Sequence, residues 1–138
     1  MTNISKLYVY TDGGARKNPG PSAIGIVFFD QDKNFIAEYK QCIGVCTNNQ
    51  AEYKALIKAL ELAKAHCRKE ILCFLDSELV IKQLNGAYRI KKEELRRLFD
   101  ILKDIEKAFE KVVYNHVERE NQFMKYADKL VNDALDGK

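Results

Sequence analysis

Apolar positions dominate the first third of the chain in short runs, and glycine, proline and asparagine break them. Leu7-Tyr8-Val9-Tyr10-Thr11 reads as a strand over residues 6–11. The stretch from Asp12 to Pro21 follows, with Gly13, Gly14, Asn18, Pro19 and Gly20, and carries the heaviest turn signal in the chain. A second apolar run covers 23–30, and after the polar patch 31–34 a third strand is expected from Phe35 to about Val45. Connections this short predict an antiparallel meander.

The period then changes to that of a helix. Ala51, Ala55, Leu56, Ala59, Leu60, Leu62 and Ala63 share one face behind Thr47, Asn48 and Asn49, all suited to capping a helix start. A fourth strand is expected from Glu70 to Leu75, then a short helix capped by Ser77 and stopped by Gly86. Leu95, Leu98, Phe99, Leu102, Ile105 and Phe109 predict a helix over 92–111. A strand over 112–117 and a helix over 123–135, ended by Gly137, complete the order β-β-β-α-β-α-α-β-α. That order predicts an α/β fold, a mixed sheet with helices on its faces.

Composition narrows the class only a little. The 138 residues fit one domain, 1–138, and 46% apolar with 31% charged residues is ordinary for a soluble protein. A formal charge of +3 permits a nucleic-acid partner without demanding one. No stretch approaches the roughly 20 apolar residues of a membrane span, and residues 1–6 lack the apolar core of a signal peptide, so cytoplasmic residence is the default expectation. Cys42 and Cys46 have the spacing of half a zinc site, but Cys67 and Cys73 do not complete it and His66 is the only nearby imidazole. Structural thiols are therefore expected, with Cys42 and Cys73 as small hydrophobes in strand-like segments.

The chemistry lies in four acidic residues. Asp12 and Asp76 each directly follow an apolar strand-like run, Glu52 is expected in the first turn of the first long helix, and Asp128 falls within the last helix beside Tyr126, Ala127 and Leu130, on a face expected to turn toward the body. Each has an ordinary explanation alone: a turn residue, a helix-dipole partner, an N-cap, a solvated helix position. Carboxylates at the ends of two buried strands are nevertheless costly unless something positive meets them. A divalent ion is the simplest partner, and oxygen donors suit Mg²⁺ or Mn²⁺ better than Zn²⁺. Metal-assisted phosphoester chemistry is the first expectation. Thr47, Asn48 and Asn49 stand at a helix start suited to phosphate, and asparagine can read a ribose 2′-OH or a base edge.

These residues occur together in segments that resemble type 1 ribonuclease H. Tyr10-Thr11-Asp12-Gly13-Gly14 with 18–25 behind it resembles that family's opening motif, and Thr47-Asn48-Asn49-Gln50-Ala51-Glu52-Tyr53 its second. Leu75-Asp76-Ser77 resembles the third and Tyr126-Ala127-Asp128-Lys129-Leu130-Val131-Asn132 the fourth. The resemblance implies a ribonuclease H-like fold: a five-stranded mixed sheet whose first three strands are antiparallel, with the fourth and fifth parallel to the first. It implies an endonuclease that hydrolyses the RNA strand of an RNA–DNA hybrid, leaving 3′-hydroxyl and 5′-phosphate ends. Two Mg²⁺ or Mn²⁺ ions would be held by Asp12, Glu52, Asp76 and Asp128, with Asp12 shared between them. Gly13, Asn18, Thr47, Asn48 and Asn49 would contact the substrate. A monomer is expected. Double-stranded RNA as a substrate, and a catalytically dead binding module, are the alternatives; the second predicts a missing carboxylate, and none is missing.

Two departures stand out. Many members of that family carry a histidine on a loop before the last aspartate, where this chain has Arg119-Glu120-Asn121-Gln122. The proton-transfer step is thus unassigned, with Glu120 and Arg119 as candidates. The segment 83–99 also passes almost directly between two helices and the chain has no Trp, so it resembles the compact branch without a basic protrusion. Weak, salt-sensitive binding through Arg89, Lys91, Lys92, Arg96 and Arg97 is expected.

Overall fold

In the computed structural model, which describes residues 4–138, the alternation read along the first strand becomes the two faces of a sheet. Leu7 and Val9 are fully buried on one face, while Tyr8 and Tyr10 pack on the other. The elements in chain order are β1 (Lys6–Ala15), β2 (Gly20–Phe29), β3 (Phe35–Cys46), α1 (Asn48–Ala63), β4 (Glu70–Leu75), α2 (Glu78–Leu84), α3 (Glu93–Glu106), β5 (Lys111–His116) and α4 (Gln122–Leu135). The five strands lie in the order β3-β2-β1-β4-β5. β1 pairs antiparallel with β2 and β2 with β3, whereas β4 runs parallel to β1 and to β5. The expected architecture is therefore present, strand for strand. No helix is long and apolar enough to cross a membrane among the described residues.

The larger core joins Leu7, Val9, Ile24, Ile26, Ile71 and Leu75 of the sheet to Tyr53, Leu56 and Leu60 of α1. Behind α1, Leu95 and Leu102 of α3 are buried in the same cluster. The Tyr53 hydroxyl donates to Gln83 Oε1 at 2.7 Å and ties α1 to α2. On the opposite face Tyr10, Val27 and Phe29 meet Met124 of α4, and Tyr10 stacks on Phe74 with centroids 4.7 Å apart. Thr47 caps α1 with a reciprocal box: its hydroxyl accepts from Gln50 N at 3.1 Å, and Gln50 Oε1 accepts from Thr47 N at 2.8 Å.

Several sequence expectations need correction. β1 does not end before Asp12 but continues through Gly13 and Gly14 to Ala15, and β2 begins at Gly20, so the turn shrinks to residues 16–19. Gly13 serves a close backbone approach, which a sequence reading takes for a turn. Glu52 stands in the second turn of α1, because the helix already starts at Asn48. The helix expected over 92–111 stops at Glu106, where tight turns bring Phe109 under it into the core and Glu110 N donates to Arg68 O at 3.0 Å. All four cysteines are unpaired, and Cys42, expected to be a small hydrophobe, is exposed on the edge strand β3.

Candidate active site

Parallel pairing brings two of the acids together. Tyr10 lies opposite Phe74 in the β1–β4 register, so one pleat further along each strand Asp12 and Asp76 project side by side from the same face. β1 pairs antiparallel with β2 on its other side, which sets Asp12 opposite Gly25.

Glu52 joins them because α1 presses its first turns against β1. A Cβ on Gly13 would sit 2.2 Å from Ala51 O, so only glycine admits the helix at this distance. The Gly13 N–H then donates to Glu52 Oε1 at 3.0 Å and aims the carboxylate at the strand. One oxygen from each of Asp12, Glu52 and Asp76 lies within 4.8 Å of the others. Asp128 arrives from the α4 side and lines the same cleft, where its charge acts on Asp12. Gly25 makes this possible: a Cβ there would meet Ala127 O at 2.3 Å, one residue before Asp128. The structure thus gathers all four predicted acids at one cleft of about 410 Å³, also lined by Gly14, Asn48, Asn49, Ser77 and Arg119. Asp128 itself is exposed, contrary to the expectation that it faces the body; its neighbours Ala127 and Leu130 are the buried residues.

Electrostatics make the cluster strained without a cation. Burial, then the charges of Asp76 and Asp128, push the Asp12 carboxyl well above its ordinary pKa, against a smaller pull from the Gly13 N–H. Glu52, 7% exposed, is pushed up by burial and then by Asp12 and Asp76. Ligand oxygens of one small divalent ion, bound at about 2.1 Å, lie at most about 4.2 Å apart. Small side-chain rotations would close the three-carboxylate set on such an ion, so donor chemistry and spacing both fit.

The predicted substrate residues form the adjoining rim. Asn18 Oδ1 accepts from Asn48 N at 2.9 Å, and Asn48 Oδ1 accepts from Ala15 N at 2.9 Å, which ties the 16–19 turn to the start of α1. The amide groups of both residues remain available as donors. Asn49 lines the catalytic cleft and a second one of about 280 Å³, which also contains Asn18, Thr47 and Lys92. Of the expected basic contacts, Arg97 pairs with Glu93 at 3.2 Å and Arg96 with Asp100 at 3.4 Å on their own helix. Lys92 instead faces the second cleft.

A family model described as reverse transcriptase-like matches residues 10–134. The crystal structure of ribonuclease H1 from the halophilic archaeon Halobacterium salinarum superposes with a TM-score of 0.91 at 40% identity, covering 96% of this chain and 99% of that one. The chain belongs to the type 1 ribonuclease H family. The ribonuclease H1 designated LC11, solved in complex with an RNA/DNA hybrid, superposes with a TM-score of 0.87 at 39% identity, covering 95% of this chain and 97% of that one. A bifunctional protein of Mycobacterium tuberculosis is 38% identical over 132 residues. This chain spans about a third, 36%, of that relative's length. Other relatives are named ribonuclease HI, in Halobacterium salinarum, and ribonuclease H, in Clostridium botulinum.

One site residue escaped the sequence reading, and another stands in a different place from the one its expected role implied. Gly25 carries no chemical signal, and its role depends on a helix about a hundred residues away. Arg119 was expected only as a candidate for proton transfer; its Nε lies 3.7 Å from Asp76 Oδ2. Glu120 does not line the cleft, and neither does His116, which pairs with Glu78 at 3.9 Å.

Proposed function

We propose that residues 1–138 form one ribonuclease H domain that hydrolyses the RNA strand of RNA–DNA hybrids with the aid of two divalent ions, Mg²⁺ or Mn²⁺, leaving 3′-hydroxyl and 5′-phosphate ends. The observation that carries this reading is the convergence of Asp12, Glu52, Asp76 and Asp128 beside a rim of asparagine donors. The similarity to a relative whose structure holds an RNA/DNA hybrid supports the choice of substrate. One chain supplies every group, so a monomer suffices.

Bound divalent ions would lower the pKa of an attacking water and stabilise the departing 3′ oxygen. Asp12 would be the shared residue: it belongs to the cluster with Glu52 and Asp76, and Asp128 lines the same cleft. Glu52 and Asp76 would complete one ligand set and Asp128 the other. The Gly13 N–H holds Glu52 in orientation without any metal. Asn48 and Asn49 offer amide donors to 2′-hydroxyls and base edges in a minor groove, and Asn18 and the Thr47 hydroxyl offer donors to a backbone phosphate. No protein nucleophile would take part, and among the described residues no histidine lines the cleft to move the proton.

Matched hybrid, double-stranded RNA and double-stranded DNA duplexes, each with Mg²⁺, with Mn²⁺ and with EDTA, test the reading. Cleavage confined to RNA strands, abolished by EDTA without loss of the folded far-UV signal, is expected. Cleavage of double-stranded RNA as fast as hybrid would move the specificity to the broader nuclease, and EDTA-resistant turnover would overturn the metal assignment.

A further inference from the structure

Among the described residues lining the catalytic cleft, four are acids and one is a cation, Arg119. Its place is set by the fold. β5 ends at His116, and Val117 N donates to Leu75 O at 3.0 Å, one residue before Asp76. The other end of the loop is fixed by Asn121, whose side chain accepts from Phe123 N at 2.9 Å and caps α4. Arg119 therefore overhangs Asp76 from a short, doubly anchored loop. Its side chain is nonetheless 85% exposed, while that of Asp76 is 18% exposed. Its Nε stands 3.7 Å from the carboxylate, longer than a hydrogen bond, so the guanidinium sits near the acid without being locked to it. Arg119 also acts on Glu52, opposing the burial and like charges that surround that acid. A guanidinium stays charged at any relevant pH, so it cannot serve as a general base here.

We infer that Arg119 is a built-in counter-cation: it offsets the charge of Asp76 while no divalent ion is bound, yields that place to the ion, and is then free to meet a substrate phosphate. This rests on the metal-dependent reading of the site. A single positive charge beside a ligand of a divalent ion, at the high dielectric of an open cleft, would weaken binding of that ion by roughly three- to tenfold.

The test is a Mn²⁺ titration followed by thermal shift in the absence of nucleic acid, on the wild type, Arg119→Ala and Arg119→Lys. The expected result is a Mn²⁺ midpoint roughly three- to tenfold lower for Arg119→Ala and near the wild-type value for Arg119→Lys. At saturating Mn²⁺, Arg119→Ala should raise KM for hybrid several-fold, with partial recovery in Arg119→Lys. An Arg119→Ala midpoint equal to or above that of the wild type, with Mn²⁺ still stabilising both, overturns the counter-cation role and leaves the metal site standing. Absence of any Mn²⁺ shift in the wild type overturns the metal reading itself.

Discussion

Replacing Gly25 with alanine tests how α4 carries Asp128 into the site. The added Cβ would lie 2.3 Å from Ala127 O, 2.9 Å from Leu130 Cβ and 3.2 Å from Val131 N. Two of these three atoms are backbone, so no flexible side chain can turn aside. An ordinary close carbon–oxygen approach is about 3.3 Å, which requires α4 to lift by roughly 1 Å over β2. The lift loosens Met124, Ala127, Leu130 and Val131, all buried under α4. Overpacking of this kind costs about 1–3 kcal/mol, and the backbone contacts place Gly25→Ala toward the upper end. Asp128 follows Ala127 directly and must retreat from Asp12 with it. A displacement of about 1 Å in a positioned group can cost about a hundredfold in rate. Urea unfolding without metal and kcat on hybrid at saturating Mn²⁺ measure the two effects. Gly14→Ala is the stability control, because its Cβ would meet only Val131 Cγ1 at 3.7 Å, an ordinary contact. If Gly25→Ala unfolds within about 0.5 kcal/mol of the wild type and cleaves at the wild-type rate, the close approach does not position Asp128.

The raised pKa values of Asp12 and Glu52 mean that the metal-free folded state binds more protons than the unfolded chain between the ordinary carboxylate range and the raised folded values. Their contribution to stability is complete below the ordinary range and is lost as pH rises through the folded values. Asp12→Asn should therefore gain Tm relative to the wild type in EDTA as pH rises from about 4 toward neutrality; a constant or shrinking difference would contradict the assigned strain. Salt should raise KM for hybrid steeply. Lys92→Ala should lower the log–log salt slope by about 0.7–0.9, and Arg97→Ala, whose charge is matched by Glu93, by less; equal effects would refute the distinction.

Much of this was readable in the chain because strand periodicity is strict. Asp12 and Asp76 each continue the α4-side alternation of Tyr8–Tyr10 and Leu72–Phe74, so two apolar runs sufficed to point both acids the same way. Thr47, Asn48 and Asn49 likewise announced the start of the helix that carries Glu52, and Thr47 is its cap. What depended on contacts between distant segments was hidden. Gly13 and Gly14 look like a turn because glycine permits one, but Gly13 lies in a strand where α1 comes too close for a side chain. Gly25 has no signal without the register that sets it under α4. Arg119 looked like a substitute for a missing histidine, and only the Val117–Leu75 pairing shows that it stands over Asp76.

The most direct measurement is cleavage of a hybrid carrying a labelled RNA strand, with saturating Mg²⁺ or Mn²⁺, by the wild type and by Asp76→Asn. The substitution keeps size and shape while removing one of the three clustered carboxylates. The account predicts a loss of roughly a thousandfold or more, about 4 kcal/mol of barrier, in a protein at least as stable as the wild type without metal. A folded Asp76→Asn protein that cuts the RNA strand at the wild-type rate would contradict it.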